Sequence, residues 1–518
     1  MIISRSGYTN HNVGTNIFLS LVLVFLPKII RGLSSSYQSQ SDSRYYEDII
    51  QQLRPIDVGF ELEDENHCAD NRIHTFDYFY KPGMKLRPAP VRARSSSAWK
   101  PVRQRLLSPF MEIRDEPRRT ELVKRLEDHL WQGDELMDAV IGLGHRIGLG
   151  VVRKMVMTAL ADGIQALQDP PTEIVKLFKQ LDTTPDWFDA DEFENGRVVF
   201  SNASWFGPIG SLIVNKTITS QAESVASAVG ATGQYTSGTT KTQIRRHLET
   251  THFFARVPRP GGWNRYLETF QETVKVRFMH CQVRYLLKKR WGPEHFNRHG
   301  MPISSSDMAY GIVTFGVLRL VCDGVFGFKH STEDLDSVVR FWGYIGYIFG
   351  VPEEIIPRNF HEATQVLDYG LASYGTPTPY TFDIVKSFDV FSRELRGVGR
   401  TPIHRLLNKM NEQLVHGLTY FICGDVLGSR MVFGSKHSKG YLRMVSLVAA
   451  VFTKFSLSVV ALKDGLPGRT KRMKNRAING DPFENYIDGL SSDLMSRYGL
   501  RPTFDAHDKH SVNDFRQN

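Results

Sequence analysis

A single histidine stands between two arginines in the stretch VRFMHCQVR. Arg277 comes three residues before His280 and Arg284 four residues after it, and residues at these offsets share one face of a helix. Val276 and Val283 lie on the same side. Two cations beside an imidazole oppose its protonation, and the neutral imidazole is the form that binds a metal ion. The spacing is therefore compatible with a metal ligand at His280.

Haem fits this pattern, because one histidine suffices to hold its iron and its two propionates can pair with arginines. An ordinary interpretation fits the same spacing. A lone histidine on an apolar face is commonly a core residue. The flanking arginines are commonly exposed, or they pair with carboxylates of neighbouring elements. The spacing by itself leaves both interpretations open.

A second polar cluster precedes this stretch. Arg246, Glu249 and Thr250 stand at positions i, i+3 and i+4 of TQIRRHLETTHFFARV, with Phe253 one turn further along. Three such groups on one face could polarise a bound molecule or move a proton. A structural ion pair between Arg246 and Glu249 is the plainer alternative.

These two stretches are predicted to form helices over Thr242–Val257 and Glu268–Arg290, joined by the turn PRPGG. A short Pro/Gly connection makes two helices antiparallel neighbours. Arg246 is twelve residues before the turn, and His280 is twelve residues after the second helix begins. At 1.5 Å per residue both lie roughly 18 Å from the turn, so we expect the two clusters to face one cavity.

The remaining pattern predicts an all-α fold, with one large helical domain. Strand signals are sparse, whereas apolar residues recur at helical spacing from about residue 120 to 465. Ser304 with Asp307, and Ser331 with Asp334, resemble capping boxes. Further helices are predicted over Thr120–Val140, Val151–Leu167, Thr172–Leu181, Met308–Cys322 and Leu335–Phe349.

The domain boundaries follow composition. Residues 1–33 contain the apolar run Ile17–Leu26, which is shorter than the roughly 20 residues of a spanning helix and fits a signal peptide or short membrane anchor. Residues 34–119 are expected to be flexible or irregular and to include an Arg-rich linker. The helical domain spans 120–465, and a C-terminal extension covers 466–518.

Charge and cysteine content exclude some classes of protein. The net charge of +9 arises largely from the Arg-rich stretch between Lys81 and Arg125, which lacks interleaved aromatics and zinc-finger spacing. We interpret it as a solvated linker and expect no nucleic-acid partner. None of the four cysteines forms a CxxC pair, which argues against a disulfide scaffold or structural zinc site. The apolar run Met444–Leu462 carries Lys454 near its middle, a costly group in lipid, so we predict a buried core helix.

Several ordered motifs resemble one known family, the latex-clearing-protein (rubber oxygenase) and MpaB-type oxygenases, which share a catalytic domain. The similarity extends from about Gly133 to Pro357, with a weaker continuation. The motifs that carry it are TALADG, TPDWFDADEFENGRVVF, ATGQY, RRHLETTHF, VPRPGGW, VRFMHCQVR, GMPISSSDM and FWGYIGYIFGVPEEIIP.

This resemblance implies an all-helical domain that encloses a b-type haem and an oxygen-dependent cleavage of C=C double bonds in isoprenoid chains, giving carbonyl products. It implies that His280 is the proximal iron ligand. Arg277 and Arg284 match the flanking arginines, which we expect to hold the propionates. The resemblance also implies catalytic roles for Arg246, Glu249 and Thr250, on the side of the haem opposite His280.

Glu249 departs from the rubber-cleaving members, in which a lysine is expected. The departure favours the MpaB-like branch and a smaller apolar isoprenoid-like substrate, with O2 as co-substrate. That branch implies an association with the endoplasmic reticulum membrane or secretory pathway; a cytoplasmic location is the alternative. Another haem oxidoreductase, such as a monooxygenase or peroxidase, and a non-enzymatic helical lipid- or membrane-binding protein are the alternative functions. The oligomeric state is left open.

Overall fold

The computed structural model describes residues 89–93, 97–233, 235–236, 239–261, 263–291, 293–375, 377–396, 402–432 and 439–464, together with 473, 478, 489 and 492–500. The fold is all-α, as the sequence predicts, and no strand occurs in these ranges. The apolar run Ile17–Leu26 lies outside the described residues, and its role as signal peptide or anchor stays a prediction.

Eighteen α-helices are described, numbered here in chain order. The first nine are α1 Lys100–Leu107, α2 Glu121–His129, α3 Glu135–Ile147, α4 Leu149–Asp162, α5 Thr172–Asp182, α6 Ala190–Phe200, α7 Phe206–Gln221, α8 Glu223–Ala231 and α9 Thr240–Arg256. The second nine are α10 Glu268–Arg290, α11 Pro293–His299, α12 Ser305–Phe315, α13 Leu318–Val325, α14 Thr332–Ile348, α15 Phe360–Ser373, α16 Thr381–Arg396, α17 Pro402–Met431 and α18 Lys439–Asp464.

The helix boundaries agree best where a strong local signal exists. The bounds of α10 are those predicted, and α9 differs from its prediction by no more than two residues at either end. The capping box at the start of α12 is confirmed, since Ser304 and Asp307 bond each other's backbone N–H groups. Ser331 caps α14 by accepting a hydrogen bond from the backbone of Asp334.

Two predicted helices are each broken in the structure. The prediction over Thr120–Val140 becomes α2 and α3, because Asp134 caps a new helix by accepting a hydrogen bond from the backbone N–H of Met137. The prediction over Met308–Cys322 ends at Gly316, where a Cβ atom would lie 2.3 Å from the Trp342 ring. The first break follows from a local cap, whereas the second depends on a contact with a distant residue, which a helical repeat does not report.

The interpretation of residues 34–119 as flexible, with a solvated Arg-rich linker, is wrong for its described part. Trp99, Val102 and Leu106 are fully buried in the main core. Arg92 and Arg103 are also buried: Arg92 donates to Asp307, at 2.9 Å, and Arg103 donates to Asp368, at 2.8 Å. These arginines hold the start of the described chain against the helical domain.

The prediction of a buried helix over Met444–Leu462 is also wrong. The helix exists as α18, but only one side of it packs on the protein, and large apolar residues such as Leu447 and Phe455 are exposed. At the other end of the C-terminal extension, Leu494 and Leu500 pack against α9. Part of that extension therefore belongs to the helical domain.

Candidate functional site

A cavity of about 360 Å³ lies inside the domain, a size that suits a bound organic molecule. Its walls come mainly from α7, α8, α9, α10 and α12. Apolar and aromatic side chains dominate the lining, among them Phe253, Phe254, Met279, Met308, Phe315, Trp342 and Phe349. Such a lining favours apolar ligands.

His280 lies in the wall of this cavity, as the sequence predicts. Its ring stacks beside that of Phe349, with the ring centroids 6.3 Å apart. The same side chain also borders a second, small void, lined by Asp134, Arg277, Arg284 and Ser305 among others. The imidazole therefore lies next to both the apolar cavity and a group of charged side chains, hereafter the charged layer: Arg277, Arg284, Asp134 and Asp138.

Arg277 belongs to that charged layer. Its side chain is almost fully buried, and its Nε and Nη2 atoms both donate to the carboxylate of Asp134, the second at 2.9 Å. Nη1 donates to the side chain of Gln180, at 2.8 Å, and to the carbonyl of Ile348. The guanidinium is fully engaged with the protein, because all three of its nitrogen atoms have partners.

Arg284 is held in a similar way. Nη1 donates to Asp138, at 2.6 Å, while Nε and Nη2 donate to the carbonyl of Ile303. Burial raises the pKa of Asp138, and Arg284 opposes that effect. The two arginines and the two aspartates thus form a compensated layer between α3 and α10.

The prediction that Arg277 and Arg284 hold propionates is not supported by this geometry. Neither arginine lines the main cavity among the described residues, and each spends its donors on an aspartate and on backbone carbonyls. The arginine side chains are long, so residues on one face of a helix can direct their guanidinium groups around the helix and away from the cavity. Of the two initial interpretations, pairing with neighbouring carboxylates describes both arginines.

Two glycines make room for the charged layer. At Gly350 the backbone φ is +81°, and a Cβ atom would lie 2.4 Å from an Oδ atom of Asp134. At Gly133 a Cβ atom would lie 2.4 Å from an Oδ atom of Asp138. Any side chain at these positions would collide with the ion pairs, so the layer needs glycine at both places.

The polar cluster on α9 faces the cavity. Arg246 and Thr250 both line it, and so does Tyr235. The Tyr235 hydroxyl is hydrogen-bonded to Thr250, and the Thr250 hydroxyl also donates to the carbonyl of Arg246, at 3.2 Å. Burial raises the pKa of Tyr235, so its phenol stays protonated at neutral pH. The expectation of one cavity shared by His280 and Arg246 is confirmed.

Glu249 occupies a different place from its neighbours. It is buried and stands 3.7 Å from Arg246, but it is not among the described residues that line the cavity. Its charge lies next to Arg246 and also acts on Tyr235 in the cavity wall. The structural ion pair between these residues, the plainer of the two alternatives, is present.

Several polar residues of the cavity lining were not identified from spacing, and three of them bear on the chemistry of the site. Tyr235 lies in the motif ATGQY, ahead of α9, and no helical offset connects it to Thr250. Arg153 on α4 and Lys275 on α10 also line the cavity and bring positive charge to it. Lys275 is five residues before His280, an offset outside the usual i±3 and i±4 search.

Another histidine near the site, His247, has a structural role. His247 is buried beside Phe388 and Phe391, and its Nε2 lies 2.9 Å from the Ser387 hydroxyl. Burial holds the pKa of His247 well below its usual value. No group of three or more His, Cys, Asp and Glu side chains that could hold a metal ion occurs within the described part of the chain. A metal at His280 would therefore need ligands from a larger bound group.

Fold and site together define an all-helical protein with an internal apolar cavity and one histidine in its wall. Residues 211–451, just under half of the chain, match the family described as "ER-bound oxygenase mpaB/B'/Rubber oxygenase, catalytic domain". Over that segment the chain is similar to this family of oxygenase catalytic domains. His280, Arg246 and Thr250 all lie within the matched residues.

One solved structure is similar, that titled "Structure of Latex Clearing Protein LCP in the closed state". The sequence identity is 15%, the match covers 70% of this chain and 91% of that chain, and the TM-score is 0.48. No curated protein matches the sequence significantly.

Proposed function

We propose that this protein is a haem b-dependent oxygenase in which His280 is the iron ligand. The observation that carries the proposal is the position of His280 in an apolar cavity whose wall also holds Arg246, Thr250 and Tyr235. A porphyrin supplies four ligands to its iron, so one histidine is sufficient. This matches a site with a single imidazole and no cluster of further ligands in the described residues.

The carboxylates of such a cofactor need cationic partners. Arg277 and Arg284 are already engaged with Asp134 and Asp138. Arg153 and Lys275 line the cavity and carry the right charge. Arg153 and Lys275 are cationic residues of the cavity lining that would pair with the propionates, and Arg277 and Arg284 would hold α10, and with it His280, in place.

When bound, the haem would supply the oxygen chemistry, and the chain would position the reactants. Phe254, Phe315 and Trp342 give the cavity an apolar wall that accepts an isoprenoid-type chain and keeps water out. Polar contacts are few, so the substrate is oriented by shape. The proposed reaction is the cleavage of a C=C double bond by O2, which leaves two carbonyl products.

The polar cluster on α9 can serve a reacting oxygen atom. Arg246 offers guanidinium donors, and the Tyr235 phenol, linked to the Thr250 hydroxyl, offers a proton. Glu249 balances the charge of Arg246 from outside the cavity. The catalytic assignment thus keeps Arg246 and Thr250, gives Glu249 a positioning role, and adds Tyr235.

An absorption spectrum of the purified protein, oxidised and reduced, tests the cofactor. We expect a Soret band that is lost or shifted in His280→Ala and partly restored by added imidazole. His145→Ala is the matched control, because His145 is exposed on α3 and stacks only on Tyr285. Protein without a Soret band, or a band unchanged in His280→Ala, would refute the assignment.

Product analysis tests the reaction. A prenyl-chain substrate incubated with reduced protein and O2 should give two carbonyl fragments. A single alcohol would instead indicate a monooxygenase, and substrate-independent oxidation by peroxide would indicate a peroxidase. Bound lipid without any pigment would favour a lipid-binding protein.

A further inference from the structure

Helix α18 has two opposite apolar sides, and only one of them packs on the protein. The packed side includes Leu442, Ala449, Thr453 and Leu457, all of which are buried. The other side is exposed and carries seven large apolar residues, hereafter the outer stripe: Met444, Leu447, Val448, Val451, Phe455, Val459 and Leu462. A helix that only completes a core would bury its large apolar residues, so the outer stripe needs another explanation.

The outer stripe is continuous and large. Its residues recur at steps of three and four, so they form one line along the helix. From Met444 to Leu462 this line extends about 27 Å. Leu462 is 76% exposed and Leu447 is 65% exposed. Seven of the seventeen large apolar residues that are exposed in the described part of the chain lie on this one helix.

The packed side of α18 is firmly attached to the domain. Gly417 of α17 lies so close to α18 that a Cβ atom there would be 2.7 Å from the carbonyl oxygen of Val445. Trp205 donates a hydrogen bond to Ser456, and Arg443 pairs with Asp425. The helix is long and apolar enough to cross a membrane. With one side held by α17 and α7, however, only the outer stripe is free to meet lipid.

The charge beside the outer stripe is strongly positive. Lys439, Arg443 and Lys454 are exposed on the helix. The sequence from Lys463 to Arg476 adds six basic residues and one acidic residue. A basic amphipathic helix of this kind lies in the interface of an anionic bilayer, with lysines reaching up to the headgroups. Lys454, which would be costly in a spanning helix, is compatible with this position.

We propose that α18 docks the folded domain on an anionic lipid bilayer, lying parallel to its surface with the outer stripe in the acyl boundary. The partner is the lipid surface itself. The proposal stands apart from the proposed function, since it needs neither the cofactor nor the reaction. It is also separate from the apolar run Ile17–Leu26, which could anchor the chain independently.

Vesicle flotation tests the proposal on the full-length chain. Leu21→Ser/Leu23→Ser/Phe25→Ser is the background, so that the N-terminal run does not mask the effect. Leu447→Gln/Val451→Gln/Phe455→Gln should weaken binding to vesicles of phosphatidylcholine and phosphatidylserine by roughly tenfold or more.

The matched control replaces three exposed apolar residues elsewhere, Ile147, Val151 and Val175, by Gln and should leave binding unchanged. Arg469→Gln/Lys471→Gln/Arg472→Gln should lower binding only when phosphatidylserine is present, and the loss should shrink as salt is added. Equal binding by the outer-stripe variant and the control would overturn the proposal. So would an outer-stripe variant that binds vesicles normally and changes only from dimer to monomer, because the outer stripe would then be an interface between two copies.

Depth measurements distinguish a surface helix from a spanning one. Single cysteines at Met444, Val451 and Val459, in a Cys68→Ser background, would carry a fluorophore quenched by brominated lipids. A helix parallel to the surface gives similar shallow quenching at all three positions. Deepest quenching at Val451, the middle of the apolar run, would show a spanning helix and refute the proposal.

Discussion

Helices α9 and α10 line the same cavity, yet they use their polar residues in opposite ways. On α9, Arg246 and Thr250 face the cavity. On α10, Arg277 and Arg284 reach away from it into aspartates of the α3 region, and His280 stays in the cavity wall. Similar spacing thus places polar side chains in the cavity wall on α9, whereas on α10 it places two arginines in ion pairs that hold the helix against α3. The difference lies in the partners: α10 packs against two buried carboxylates, whereas the cluster on α9 borders an open chamber.

The largest effect is expected from breaking the charged layer behind α10. Arg277→Ala leaves the Asp134 carboxylate buried without its cation, which should lower the free energy of unfolding by about 3–5 kcal/mol. Urea denaturation measures this loss. Arg246→Ala on α9 is the comparison variant. It also leaves a buried carboxylate, Glu249, without its cation, but this pair is longer, at 3.7 Å, and Arg246 is partly exposed, so the loss should be smaller, about 1–2 kcal/mol. Equal losses would erase the proposed difference between the two helices.

A smaller effect should follow from Gly350→Ala. The new methyl group would meet Asp134 and Arg277 at a backbone φ of +81°, so strain and collision should together cost about 2–3 kcal/mol. Thermal denaturation is a suitable measurement. Gly150→Ala is the control, because a Cβ atom there meets nothing within 4 Å. A loss no larger than that of the control would mean that Gly350 does not shape the ion pair.

Glu272 gives a pH-dependent test of the contact between the two helices. It lies on α10, 3.8 Å from Arg256 of α9, and burial followed by the charge of Glu268 raises its pKa to about 7. Because this folded-state value exceeds the usual 4.5, stability should fall as pH rises from about 4.5 to about 7. Glu272→Gln should remove that fall and gain about 1–2 kcal/mol at pH 8, less than full linkage because solvent screens part of the charge.

Denaturation of the natural chain and Glu272→Gln at pH 4 and pH 8 checks this sign. At pH 4 the two proteins should be about equally stable, since Glu272 is then protonated. Glu268→Gln should give part of the same gain by removing a neighbouring negative charge. A natural chain that becomes more stable between pH 5 and pH 8 relative to Glu272→Gln would contradict the prediction.

The smallest change in stability should come from Tyr235→Phe, which removes one hydroxyl and its bond to Thr250. We expect a loss of about 1 kcal/mol. The same variant should alter the affinity of the pigment for cyanide or carbon monoxide and the pH profile of turnover, because the lost proton donor faces the cavity. A merely structural tyrosine would leave both readouts unchanged.

Local patterns anticipated much of this fold. The helical repeat predicted the all-α class and the bounds of α10, and side-chain chemistry at Ser304 and Asp307 predicted the start of α12. These features depend on residues within a few positions of each other. The burial of Arg92 and Arg103 depends on partners far along the chain, so no local pattern could predict it, whereas the cap at Asp134 is a local signal that the helical repeat obscured.

In the candidate site, too, local spacing predicted some residues and missed those that other elements bring in. Twelve-residue spacing on either side of one turn correctly placed His280 and Arg246 in one cavity. It could not choose between the two interpretations of Arg277 and Arg284; in the structure both pair with aspartates, and their expected contact with propionates stays a prediction. Tyr235 and Arg153 enter the cavity from other elements and carry no offset that would reveal them.

The sequence by itself predicted most of the helices, the place of His280 in the cavity wall and the resemblance to one oxygenase family, because periodicity, caps and ordered motifs lie in neighbouring residues. Only the tertiary structure decided which charges are neutralised and which faces stay open. Asp134 and Asp138 turn two arginines into a rigid support, while nothing among the described residues covers the outer stripe of α18. Pairing and exposure are properties of surfaces brought together by folding, and a single helix does not contain them.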